Sequence, residues 1–204
     1  MTTWNGSVLS REHVRGKKRD AVVQQAAMEF RKRGYHATSM DDIATALGVT
    51  KGALYRYVKS KDEVLFECFM HSNRIGEIAI DMAEKVKGTA LEKLRCFLNE
   101  FIKAYLDSNF AGGAMVEIGA LLPDQRHEVV RGRDRVDQRL RGLLREGIDE
   151  GSILAANPKL MIFSFMGSIN WIPSWFSPQG EWTSDEIAHQ ITEIILSGIS
   201  ARSS

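Results

Sequence analysis

Thr50, Lys51, Gly52, Tyr55 and Arg56 place hydroxyl, ammonium, phenol and guanidinium donors around one glycine within a short stretch of chain. Donors of these types suit hydrogen bonds to phosphate oxygens and base edges. Gly52 would let the backbone come close to a groove, at some loss of helix propensity. Upstream, Thr38 and Ser39 bring two hydroxyls to a helix start, where exposed N–H groups can also hold a phosphate.

The elements that must position these groups are legible nearby. Ile43, Ala44 and Leu47 recur at helical spacing, and Gly48 then stops the helix, since glycine takes φ > 0 without steric penalty. Ser39 with Asp42 three residues on resembles a capping box. Thr50 is a good N-cap for a second helix reaching about Tyr57. Small Ala44 and Ala53 allow the two helices to approach, which makes a helix-turn-helix whose second helix is the one expected in a DNA major groove. Before it, Val22, Val23, Ala26, Ala27 and Phe30 define a first helix from about Arg19, closed by Gly34, with residues 1–15 expected to form a tail.

Charge is distributed unevenly. Residues 1–66 carry twelve bases against seven acids, a net +5, whereas the remainder carries fifteen bases and nineteen acids, a net −4. A basic end on an acidic body is the asymmetry expected where one end meets phosphate. Enzyme signatures are missing: there is no G-x-S-x-G, H-E-x-x-H, Walker-type loop or Rossmann glycine pattern, and the five histidines are scattered. Cys68 and Cys96 have no partner at metal-ligand spacing, so they read as incidental thiols. No apolar run approaches the roughly eighteen residues of a membrane span, and MTTWNGSVLS lacks a signal-peptide core, so a cytoplasmic protein without membrane contact is expected.

The run IATALGVTKGALYRYVKSKDEVLFECF, with the preceding GYHATSM, resembles the DNA-binding head of the TetR family of bacterial one-component regulators. That resemblance implies an all-α chain: a three-helix head over residues 16–60 and a larger ligand-binding and dimerisation body over residues 61–204. It also implies a repressor that pairs through its body and leaves operator DNA when a small molecule binds. Thr38, Thr50, Lys51, Tyr55, Tyr57 and Lys61 occupy the positions that the family uses for DNA contacts. For Tyr57, a ring packed beneath the motif is an equal reading.

Downstream the pattern stays helical, giving about nine helices in all and no strand alternation. Ser60-Lys61-Asp62-Glu63 opens a long helix that would join head to body. Thr89-x-x-Glu92 caps one carrying Leu91, Leu94, Leu98, Phe101, Ile102 and Tyr105. The nearly uncharged AGGAMVEIGALL follows, then an arginine-rich helix after Pro123. A helix from about Pro158 to Phe176 contains Pro173, a potential kink. The last helix begins at Thr183-x-x-Glu186. These final two helices are apolar on more than one face, and the surplus suits a four-helix interface with a second copy.

Residues 169–188, INWIPSWFSPQGEWTSDEIA, are similar to a TetR subgroup whose members often sense acyl-CoA thioesters. Phe101, Tyr105, Met115, Ile118, Leu121, Phe165, Met166, Ile169 and Asn170 are the candidates to line an apolar effector pocket, core packing being the plain alternative for each. A CoA effector would also need cations, which Arg131, Arg133, Arg135, Arg139 and Arg141 offer. Without phosphates to bind, those arginines would be a solvated helix face, and the effector another hydrophobic compound.

Overall fold

A computed structural model describes residues 11–108 and 118–201. Among the described residues, eight α-helices follow one another: α1 (Arg11–Arg33), α2 (Met40–Ala46), α3 (Lys51–Leu54), α4 (Lys61–Glu84), α5 (Ala90–Asp107), α6 (Pro123–Asp149), α7 (Pro158–Trp171) and α8 (Ser184–Ile199). Single 3-10 turns lie at Ile118–Ala120 and Ile172–Ser174. No strand occurs among the described residues; the one β-type contact there is an isolated bridge between Ile153 and Ser200. The all-α expectation therefore holds.

Local chemistry sets most helix boundaries. Ser39, Thr89 and Thr183 each close a reciprocal capping box with Asp42, Glu92 and Glu186. Ser60 caps α4 by accepting from the Glu63 N–H, while the Glu63 carboxylate reaches back to the Lys59 N–H at 2.6 Å. Gly34 and Gly48 end their helices with φ of 82° and 65°, a region that a side chain would strain.

Three boundaries differ from the sequence reading. The first helix begins at Arg11, so residues 11–15, expected in a tail, are helical; residues 14–18 are exposed and show no apolar period. The second helix of the motif is regular only to Leu54, and i→i+3 bonds such as Tyr57 N–H to Leu54 C=O carry the chain on to Val58. Ahead of buried Pro173, α7 stops at Trp171 rather than reaching Phe176. Within AGGAMVEIGALL, only the turn Ile118–Ala120 and the residues after it are described.

Two hydrophobic cores result, and α4 belongs to both. Val22, Ala26 and Phe30 of α1, Ile43 of α2 and Leu54 of α3 enclose the head core with Val64, Leu65 and Cys68 of α4. From Ile75 onward, α4 packs into the body with α5, α6, α7 and α8. A division at residue 61 therefore cuts through the head core. Body residues Leu121 and Val129 are buried in that same head core, so head and body meet without a linker.

Candidate nucleic-acid interface

The turn after α2 folds back on itself through Gly48 N–H to Thr45 C=O and Val49 N–H to Ala44 C=O. Thr50 then caps α3 by accepting from the Ala53 N–H at 3.2 Å. Leu54, fully buried, anchors α3 in the head core, and this inward anchor fixes which face looks out. Thr50, Lys51, Gly52, Tyr55 and Arg56 are all exposed. The sequence-predicted donors Thr50, Lys51, Tyr55 and Arg56 thus all reach the surface, on α3 and the turn that follows it.

Gly52 is informative here. A methyl group added there would meet nothing within 4 Å, so no neighbour in the fold requires a glycine. A helical glycine costs about 1 kcal/mol relative to alanine, and its open outer side leaves room for a partner to approach the backbone. Beside it, Lys51 Nζ donates to Asp41 Oδ2 at 2.6 Å, which raises the lysine above its ordinary pKa and keeps it charged. Tyr55 is 45% exposed. Tyr57 is half-buried and packs against the head core, which matches the packing alternative stated for it.

Three predicted contacts have other work in the structure. Thr38 is 1% exposed, and its hydroxyl points inward, donating to Gly34 C=O at 2.8 Å; the helix-start reading placed it at the surface. Lys61 donates from Nζ to the carbonyls of Tyr35 and Thr38, each at 2.9 Å, and lies over the Tyr35 ring at 4.3 Å. It therefore ties the turn between α1 and α2 to the start of α4. Ser39 is exposed, but its N–H and hydroxyl both donate to Asp42 Oδ2. The Ser39 hydroxyl and backbone hold the Asp42 carboxyl below its ordinary range, with Arg33 adding to the effect. The protein's own carboxylate thus sits where a phosphate was expected. Sequence reasoning missed Asp41 and Asp42 as partners of the cations, because no helical spacing links Asp41 to Lys51 or Arg33 to Asp42.

The effector candidates divide. Phe101, Tyr105, Phe165 and Ile169 are buried in the body core, with Met166 against it and Asn170 half-buried. Along α5 the rings of Phe97, Phe101 and Tyr105 stack at 5.4 and 5.8 Å between centroids. Ile118 and Leu121 instead pack into the head core, because the 3-10 turn tucks them against it; they belong to the junction rather than the body interior. Met115 lies outside the described residues. An apolar recess between α5, α6 and α7 is lined by Leu94, Phe97, Leu140, Leu144, Ile162, Phe165 and Met166. Its free volume, ≈ 10 Å³, is that of about one water, so an effector would have to open it. Of the five arginines, Arg135 pairs with Glu77, Arg139 with Asp81 and Glu84, and Arg141 with Asp137, while Arg131 and Arg133 are exposed.

Burial pushes the Cys68 thiol up to about 12, which leaves it unreactive near neutral pH. Among the described residues, no three metal-ligating side chains gather, and no helix is long and apolar enough to cross a membrane.

Comparison with known proteins agrees with this arrangement. Residues 22–68 match the profile of bacterial regulatory proteins of the tetR family, and residues 87–199 match that of the tetracyclin repressor-like C-terminal domain. The TetR family regulator PfmR from Thermus thermophilus is 30% identical, with a TM-score of 0.75 over 86% of this chain and 97% of that one. AibR, solved with isovaleryl coenzyme A and operator DNA, is 25% identical, with a TM-score of 0.73 over 87% and 97%. The HTH-type transcriptional repressor KstR2 of Mycolicibacterium smegmatis is 24% identical over 89% of this chain and 90% of its own length. With its exposed donor face on a glycine-broken helix pair and both halves matched, the chain belongs to the TetR family of DNA-binding transcriptional regulators.

Proposed function

We propose that the protein is a homodimeric repressor whose two α3 surfaces read one operator and which leaves DNA when an apolar effector enters the body. The observation that carries the reading is the outward face of Thr50, Lys51, Gly52, Tyr55 and Arg56, with a glycine that no internal contact demands. The DNA-contact set is Thr50, Lys51, Gly52, Tyr55 and Arg56.

Dimerisation is supported by the outer faces of α7 and α8. Leu160, Phe163 and Trp171 form one exposed stripe, spaced by Ser164, Gly167 and Ser168, and Ile194 on α8 is 67% exposed. Large apolar knobs separated by small residues suit a self-complementary helix interface. Pairing would also set the distance between recognition helices, which must match about 34 Å or a multiple.

The effector reading rests on the aromatic stack and on the apolar recess that an effector would open in the body. AibR was solved with a coenzyme A thioester, which supports an acyl-CoA here. The ion pairs that occupy Arg135, Arg139 and Arg141 favour the second reading, a hydrophobic effector without phosphates. Neither reading requires a cofactor, catalysis or a membrane, and a protein that reads an operator would work in the cytoplasm.

Thermal shift against short- and long-chain acyl-CoAs, the matching free acids and uncharged steroids separates the two. Stabilisation by acyl-CoAs alone, with loss of DNA binding at the same concentrations, supports the thioester. Equal stabilisation by free acids or steroids assigns the hydrophobic compound. A compound that stabilises the protein without releasing DNA contradicts the repressor mechanism.

A further inference from the structure

The pairing of Lys51 with Asp41 has a consequence for how DNA is selected, given the proposed DNA-reading surface. Lys51 is the first residue of α3, at the end of a recognition helix that addresses base edges. Its ammonium has three N–H donors; one is held by Asp41 in the first turn of α2, at 2.6 Å. Both side chains are at least half exposed, so this carboxylate competes with any phosphate that approaches the lysine. Asp42, its neighbour, is already committed to Ser39 and to Arg33 at 3.2 Å. Asp41 is therefore the acid that answers Lys51.

We infer that Asp41 is a positioning residue that withholds the Lys51 charge from non-cognate phosphate and aims its two remaining donors at base edges. Non-specific binding consists almost entirely of phosphate neutralisation, so a lysine already neutralised by its own chain adds little to it. In an operator complex the pair persists, and Lys51 presents its other donors to acceptors such as guanine O6 and N7. Gly52 leaves the adjoining backbone free to come close enough for that contact. Asp41 then raises the ratio of specific to non-specific affinity without touching DNA itself.

A four-variant cycle of the full-length protein tests this: wild type, Asp41→Asn, Lys51→Gln and the double variant. Each is titrated by fluorescence anisotropy with a random-sequence duplex and with an operator selected by the wild type from a random pool. Asp41→Asn should tighten random-duplex binding roughly three- to tenfold near 0.1 M salt and steepen its log–log salt slope by about 0.9. Adding Lys51→Gln should cancel both changes, and operator affinity should rise less than random-duplex affinity. Lys51→Gln alone should weaken random-duplex binding, because it uncovers the Asp41 charge at the DNA face, and the double variant should recover wild-type binding; this comparison does not depend on the Asp41→Asn single variant folding. Asp41→Glu, which keeps the charge, should restore wild-type behaviour. A Lys51→Gln variant that binds the random duplex no more weakly than the double variant overturns the inference, as does a double variant that keeps the tighter binding of Asp41→Asn, or an operator affinity that rises in Asp41→Asn as much as random-duplex affinity does. Salt-insensitive binding by the wild type, or none to either duplex, would instead sink the DNA-reading surface itself.

Discussion

The side-chain amide of Asn73 donates to the backbone carbonyl of Val129 at 2.9 Å, joining α4 to α6 where head and body share a core. Gly132 makes this approach possible, because a methyl group there would overlap the Asn73 amide. α4 carries Val64 and Leu65 into the head and Ile80 into the body, and Val129 of α6 is itself in the head core, so a shift of α6 would meet the head at this junction.

Asn73→Ala should therefore separate sensing from release. Loss of one neutral hydrogen bond costs about 0.5–1.5 kcal/mol, or roughly 2–4 °C per kcal/mol in a chain of this size. A compound that stabilises the wild type should still stabilise the variant but no longer displace it from DNA. Gly132→Ala should behave alike. Unaltered release in both variants would remove this bond from the coupling path.

Thr38→Val should act through folding rather than contact. Its buried hydroxyl serves Gly34 C=O and lies 3.3 Å from Glu29 C=O, so the variant should lose about 1–2 kcal/mol in urea unfolding. DNA affinity of the folded fraction should stay within about twofold, an order-of-magnitude bound for a residue without a DNA contact. Weakened DNA binding at unchanged stability would return Thr38 to the interface.

His71 should give stability a pH dependence. Burial lowers its pKa, Arg74 adds to that and Asp20 opposes it. The unfolded chain takes up this proton more readily than the folded one, so stability is full above the unfolded value of about 6.5. It should decline as pH falls toward the lowered folded value. His71→Gln should flatten the decline in urea midpoints over that window; an identical slope would assign the dependence elsewhere.

Phe163→Glu should break the pairing proposed for α7. Sedimentation should give about twice the chain mass of 22.9 kDa for the wild type and one chain mass for the variant, with helicity unchanged. Operator affinity should fall along with it, since one recognition helix alone then engages the site. A variant that sediments as the wild type would place the interface on another face.

The head was legible because its signals are local. The spacing of Val22, Ala26 and Phe30 repeats within one helix, and each capping box spans only four residues. What escaped is tertiary. Lys61 looked like a surface cation, yet its ammonium folds onto two carbonyls more than twenty residues away. Ile118 and Leu121 read as body residues by position, but a 3-10 turn carries them into the head. The start of α1 was invisible because Val14 and the four residues after it are exposed and no apolar period runs through them.

The most direct measurement is duplex binding by the wild type and Tyr55→Ala from about 50 to 200 mM salt. A cationic tip docked in the groove should give log affinity falling linearly with log salt, by about 0.9 for each phosphate neutralised. Tyr55→Ala, truncating an exposed side chain, should lose operator affinity with a melting temperature close to that of the wild type. Salt-independent binding, or operator affinity unchanged by Tyr55→Ala, would contradict a DNA-reading role for this surface.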